Sequence, residues 1–285
     1  MSPLPILLAT DLSCRCDRAL DRATALAAEW KTKLIVLHVM QQKAPVSDIA
    51  SWRRPPDPRA AAQARVLGDL RGGEGLDLEV LVERGEPAAR ILGEAERRGC
   101  GLVVTGVARD ETLGRLLLGT TTRRLARKTK TPLLVVKSRP RGPYRDIIVA
   151  TDRSRNSRWA LEAALARWPA ARFTVFHAAR VVFEQFADDK MAVREDTARQ
   201  AAAKTREFLA AIPAAAERGR AIGVVCECGE VGVLLQDLVQ ARGADLVVLG
   251  TGGGRGLTGA LLGSVAQDLL SRLSVDMFVV RGTKG

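Results

Sequence analysis

The stretch Asp245-Leu-Val-Val-Leu-Gly250-Thr-Gly-Gly253, followed after nine residues by Gly263-Ser264-Val265-Ala-Gln-Asp268, decides the fold. Its first part is a short, continuously apolar run of strand type, and its last part opens a helical pattern. A strand that ends in glycines and re-enters a helix at Gly-Ser suits phosphate. Glycine lets the backbone approach an anion closely, and the first helical amides lack internal partners and carry partial positive charge. The layout occurs a second time as Gly101-Leu-Val-Val-Thr-Gly106, then Gly119-Thr-Thr-Thr-Arg-Arg-Leu125. A repeated nucleotide-binding unit is the first expectation.

Other markers recur in the same order. Ile6-Leu-Leu-Ala-Thr-Asp11-Leu-Ser13 matches Ile147-Ile-Val-Ala-Thr-Asp152-Arg-Ser154, and Leu34-Ile-Val-Leu-His38 matches Phe173-Thr-Val-Phe-His177. Glu83-Arg-Gly85-Glu86 matches Glu227-Cys-Gly229-Glu230, and Pro132-Leu-Leu-Val-Val136 matches Val275-Asp-Met-Phe-Val-Val280. The chain therefore reads as a tandem duplication, joined near the polar Pro/Gly stretch Lys137-Ser-Arg-Pro-Arg-Gly-Pro-Tyr144, with domains expected at 1–140 and 141–285.

In the first half the pattern predicts strands at 6–10, 34–39, 78–83, 102–106 and 133–136, with helices at 17–28, 59–70, 87–98 and 120–128. The second half predicts strands at 147–151, 173–177, 222–226, 246–250 and 277–280. Between second and third strands, 41–58 reads as a loop before a helix and 184–217 as mainly helical. Continuously apolar strands linked by helices imply α/β domains with a parallel sheet covered on both faces. Right-handed crossovers make each sheet doubly wound and Rossmann-like, with a ligand cleft at the carboxyl ends of the strands where their order reverses.

Composition narrows the class. The 285 residues suffice for two domains with separate cores, and no apolar run is long enough for a bilayer. The first residues lack a basic leader, and five cysteines show no disulfide-framework spacing, so the expected setting is the reducing cytoplasm. Net charge is +12, which raises nucleic acid as a partner. With one Tyr and six Phe, none inside a basic cluster, a base-stacking platform is missing and nucleic acid is not the expected partner.

The acid after the first strand, the His-ended second strand and the Gly-x2-Gly-x9-Gly-Ser/Thr spacing after the fourth make the sequence similar to the universal stress protein family in its tandem form. The resemblance covers nearly the whole chain. It implies five-stranded sheets of order 3-2-1-4-5, adenine-nucleotide binding in members that keep the glycine motif, weak or absent ATPase activity, and a regulatory role in stress response. By this resemblance Asp152 lies near adenine and ribose, Gly250 and Gly253 near ribose and phosphate, and Gly263, Ser264 and the Val265 amide grip the phosphates. Ala178 stands where the family usually has a valine whose backbone meets adenine. Arg255, in the loop 254–262 expected to close over the phosphates, adds charge. In the first half Asp11, Val39, Gly106, Gly119 and Thr120 match, but Arg109 replaces the second glycine. Arg109 either donates to a phosphate or closes the path that the backbone needs. The second is expected, because the role of glycine there is geometric. Asp11 and Asp152 also suit plain capping of the next helix, a role compatible with facing a cleft.

Sharper-looking motifs carry less. Gly254-Arg-Gly256-Leu-Thr-Gly259 fits G-x-G-x-x-G by letter but does not follow a first strand, and no P-loop lysine motif is present. Cys14-x-Cys16 begins the first helix, where amides can lower a thiol pKa, and Cys226-x-Cys228 lies on a strand with His177 a conceivable companion. Incidental thiols are expected in both pairs. His38 and His177 are read as cleft-lining, and Glu83, Glu86, Glu227 and Glu230 as part of a capped turn rather than acid/base pairs.

The combined expectation is an ATP-binding regulatory protein that binds rather than turns over its ligand. Mg2+ comes with the nucleotide, there is no dedicated metal site or catalytic residue, and the partner is a regulatory protein. The two domains are expected to form an intramolecular pair, with a further homodimer an open option. The rival readings are a nucleotide-free interaction module and a slow nucleotide hydrolase.

Overall fold

The computed structural model describes residues 3–13, 16–40, 57–69, 75–109, 116–181, 189–252 and 262–282. The chain divides into two compact units, Met1–Pro143 and Tyr144–Gly285.

The first unit runs β1 (Ile6–Thr10), α1 (Asp17–Trp30), β2 (Leu34–Met40), α2 (Pro58–Asp69), β3 (Leu78–Arg84), α3 (Pro87–Arg97), β4 (Leu102–Gly106), β5 (Ala108–Arg109), β6 (Leu116–Leu117), α4 (Thr120–Lys128) and β7 (Leu133–Val136). Its main sheet is parallel throughout, ordered β3-β2-β1-β4-β7. The second unit runs β8 (Asp146–Ala150), α5 (Arg155–Arg167), β9 (Arg172–Ala179), α6 (Lys190–Ala210), α7 (Pro213–Ala216), a 3-10 turn (Gly219–Ala221), β10 (Ile222–Cys228), α8 (Val231–Arg242), β11 (Leu246–Thr251), α9 (Ser264–Arg272) and β12 (Asp276–Arg281). Its parallel order, β10-β9-β8-β11-β12, is the same 3-2-1-4-5 pattern.

The central strands explain the continuous apolar runs. Ile6, Leu7 and Leu8 are fully buried, as are Leu246, Val247 and Val248, so both faces of each sheet are covered. Each such side chain contributes about 1.5–3 kcal/mol by leaving water. The order in which strands are added reverses between β1 and β4, and between β8 and β11, with all of them parallel. Each reversal opens a crevice at the carboxyl ends of those strands.

Two features differ from the sequence reading. Tyr144, placed in the linker, belongs to the second unit. It is buried, its hydroxyl donates to buried Asp276, and its ring meets Trp168 edge-on at 5.4 Å. After β4, a two-residue antiparallel ladder forms in which Arg109 pairs with Leu116. The helical segment expected over 184–217 is α6 and α7, separated by Ala211 and Ile212 because Pro213 has no amide to continue the first helix. Residues 41–56 of the expected loop lie outside the described residues.

Candidate functional site

The turn after the first strand is built alike in both units. Leu12 and Arg153 both adopt left-handed backbone, with φ of 61° and 62°, which side-chain-bearing residues seldom do. The conformation is held by the preceding threonine and aspartate. Thr10 Oγ1 accepts the Leu12 amide and Asp11 Oδ1 the Ser13 amide. Thr151 Oγ1 accepts the Arg153 amide and Asp152 Oδ1 the Ser154 amide. The aspartates thus shape the turn, while the cap of α5 is Ser154, whose hydroxyl accepts the Ser157 amide.

This elbow aims Asp152 into a crevice of about 430 Å³ in the second unit. Of the residues singled out in the sequence, Asp152, Ala178, Gly250, Gly263, Ser264 and Val265 all line it. Gly253 and Arg255 lie outside the described residues. Burial is the largest influence on Asp152 and pushes its carboxyl up. Hydrogen bonds from Ser154 and Ser157 outweigh that and hold it below the usual carboxylate range, so it is an anion at neutral pH. His177, also on the wall, bonds through Nδ1 to the Thr151 carbonyl at 2.7 Å. A carbonyl only accepts, so Nδ1 carries the proton and Nε2 of the neutral ring is an acceptor. Burial lowers its pKa and keeps it neutral.

The opposite wall is of different character. Helix α8 is capped by Glu230, which accepts the Gly232 and Val233 amides at 2.9 Å each. Helix α9 begins after Gly263, which has no side chain to offer its first amides. A Cβ built at Gly263 meets nothing within 4 Å, so the glycine leaves open space in front of the uncapped turn. Thr251, 4% exposed, lines the same crevice, and its buried hydroxyl has no hydrogen-bond partner among the described residues. Gly250 faces the other way. A Cβ there would lie 2.5 Å from the Asn156 carbonyl and 2.6 Å from the Ser157 amide, so packing of α5 requires glycine with or without a ligand.

In the first unit Asp11, Val39, Gly106, Gly119 and Thr120 line a smaller crevice of about 280 Å³. The threonine of position 251 is replaced there by buried Val107. The backbone of Arg109 is engaged in the β5–β6 ladder, and its side chain lies outside the description. Cys16 also lines this crevice, donating through Sγ to Asp11 Oδ1 at 3.2 Å. Burial, joined by the Asp11 charge, pushes its thiol up to about 11, so the helix start does not activate it. Asp11 itself is held below its usual range by Ser13 and Cys16 hydrogen bonds, against the larger single effect of burial.

The remaining motifs are structural. Glu86 caps α3 through the Ala88 and Ala89 amides, and Arg124 bonds the same carboxylate. His38 Nδ1 bonds the Thr10 carbonyl, as His177 does its counterpart. Cys226 packs on the Thr205 hydroxyl, and Cys228 donates to the Arg194 carbonyl. Among the described residues no three His, Cys, Asp or Glu side chains cluster as metal ligands. Cys14 lies outside the described residues.

Three lining residues escaped the sequence reading. Thr251 is the variable residue inside the glycine motif, and its only signal was its strand phase, which sets it opposite Gly250. Val231 and Leu269 supply apolar wall from α8 and α9.

Fold and crevices define a tandem, doubly wound α/β protein whose two switch-point crevices differ in volume and in the Thr251/Val107 exchange. Comparison with known proteins agrees. The profile of the Universal stress protein family matches residues 4–137 and again 143–281. The chain belongs to the universal stress protein family. The universal stress protein YxiE of Bacillus subtilis is 26% identical over 144 residues, covering 46% of this chain and 97% of that protein. A functionally unknown protein from Pseudomonas aeruginosa PAO1 superposes with a TM-score of 0.71 at 22% identity, over 98% of this chain and 93% of its own. A universal stress protein from Archaeoglobus fulgidus gives 0.68 at 18% identity, over 97% and 98%. These two share the fold.

Proposed function

We propose that the second domain binds an adenine nucleotide, ATP in the first instance, as a regulatory ligand in a cytoplasmic stress response. The observation that carries this reading is that an uncapped helix start, an orphaned hydroxyl and an ionised carboxylate line one crevice. The α9 amides and Thr251 suit phosphate oxygens. Asp152 would repel phosphate and suits ribose hydroxyls or an exocyclic amine. A crevice of about 430 Å³ is within the range that small-molecule sites occupy. Ser264 and the Val265 amide would grip the phosphates, Ala178 would pack against the base, and Mg2+ would arrive with the nucleotide.

The role is binding rather than turnover. Asp152 Oδ1 is committed to its turn, and His177, with its one ring proton held by the Thr151 carbonyl, has none to give a leaving group from Nε2. In the first domain the smaller crevice, Val107 and the engaged Arg109 backbone argue for loss of the same ligand mode. The tandem arrangement suits pairing of the two domains within one chain, with a regulatory protein downstream.

Equilibrium titration with ATP tests the reading. Gly263→Val fills the space before α9 and is expected to weaken binding at least tenfold without unfolding the domain. Unchanged affinity in that variant would remove the proposal.

A further inference from the structure

A second recess lies in the C-terminal domain at the opposite, amino ends of the strands. It is a trough of about 260 Å³ beside β9 and β10, floored by Thr174 and Gly223 and rimmed by Arg172, Arg220 and Arg242. Its meaning comes from the same place in the other repeat. The two sheets share register there: Ile35 pairs with Glu79 as Thr174 pairs with Gly223. Lys33 then corresponds to Arg172, and Arg98, twelve residues after the capping Glu86, to Arg242, twelve after Glu230.

In the first repeat this place is electrically complete. Glu79 receives Lys33 at 2.8 Å and Arg98 at 2.8 Å, and Asp77 adds a contact to Lys33 at 3.9 Å. In the second repeat both acids are gone, replaced by Gly223 and Ala221, and a further cation, Arg220, precedes them. Arg172 finds a substitute in Asp146, which it holds through Nε and Nη2. Arg220 and Arg242 have no carboxylate within ion-pair distance among the described residues. With Arg145 counted, four arginines face two aspartates, Asp146 and Asp245, an excess of two positive charges. Asp245 is itself occupied by the Arg145 and Asp146 amides.

We propose that this trough binds a small phosphate-bearing dianion. The ligand sits over Gly223, where the carboxylate of Glu79 sits in the first repeat, and is held by the Arg220 and Arg242 guanidinium groups with the Thr174 hydroxyl beneath. Guanidinium forks match phosphate oxygens two at a time, and two excess charges match a dianion. The glycine is not a packing necessity. A Cβ at Gly223 meets nothing nearer than Thr174 Oγ1 at 3.4 Å. Its absence leaves volume rather than relieving a clash. The site is independent of the nucleotide crevice and needs no nucleotide.

Calorimetric titration of the full chain with inorganic phosphate and, in parallel, glycerol 2-phosphate tests this at low ionic strength. Saturable binding of either that is weakened in Arg220→Ala/Arg242→Ala supports the site. The tighter of the two assigns free phosphate or a phosphomonoester as its source. Gly223→Glu restores the carboxylate of the first repeat and is expected to abolish binding. Arg220→Ala/Arg242→Ala is expected to weaken it at least tenfold, while Gly263→Val, at the other end of the sheet, leaves it unchanged. No saturation by either anion at millimolar concentration in the wild-type chain overturns the proposal. So does binding that survives the double arginine variant, or that is lost only in Gly263→Val. Should Gly223→Glu fail to fold by circular dichroism, the arginine variant decides alone.

Discussion

Thr251→Val should raise stability and lower ligand affinity at once. The hydroxyl is buried and unpartnered among the described residues, and such a group costs about 1–3 kcal/mol in the unliganded protein. Its position on the wall of an open crevice argues for the lower end. Valine is nearly the same shape, and the first repeat carries buried Val107 at the matching strand position. A gain of ~1 kcal/mol corresponds to a rise in Tm of about 2–4 °C for a unit of this size. In the complex the same hydroxyl would donate to a charged phosphate oxygen, a bond of about 1.5–3 kcal/mol. Its loss should therefore weaken ATP at least tenfold. Thermal unfolding without ligand and calorimetric titration with ATP measure the two effects on one sample. A lower Tm would mean that the hydroxyl is already satisfied in the unliganded protein. An unchanged Kd would mean that the ligand does not use it. Either result breaks the reasoning.

Other perturbations separate packing from ligand effects. Gly250→Ala forces a Cβ against the Asn156 and Ser157 backbone, and should cost about 1–3 kcal/mol in urea unfolding whether or not nucleotide is present; a neutral result would remove the packing argument. Asp152 titrates below its unfolded value of about 3.9, so its stabilisation is complete above that value and fades as pH falls through the lower folded one. Asp152→Asn should accordingly flatten the loss of stability on acidification below about pH 5, and an acid limb as steep as that of the wild type would contradict it. With its thiol raised to about 11, Cys16 should react negligibly with iodoacetamide at neutral pH and speed up only in strong alkali, as peptide mass spectrometry can follow; rapid neutral labelling would show an activated thiol.

The strands were legible because their central residues are apolar on both faces, a pattern that few other elements share. Their ends were less so. Arg172, Cys228 and Arg281 extend ladders into polar sequence, where pairing with a neighbour decides the conformation and side-chain character does not. Tyr144 looked like linker because it follows Pro143, and only its contact with Asp276 and Trp168, far along the chain, makes it core. The convergence of Asp152 and Gly263 on one crevice followed from topology alone. The orphaned hydroxyl of Thr251 did not, since satisfaction of a polar group depends on everything around it. Glu79 and Gly223 occupy matching positions that read simply as a charged residue and a small one. Their significance needs the register that puts Lys33 and Arg98 around the first and leaves the second open.

The tight seat of Gly250 against α5 has a kinetic consequence. Main chain pressed on main chain leaves the elbow bearing Asp152 and the strand end bearing Thr251 little freedom to separate, so the crevice is preorganised across that seam. Entry of a ligand should then pay little conformational entropy on that side, and association should follow simple second-order kinetics without a slow opening step.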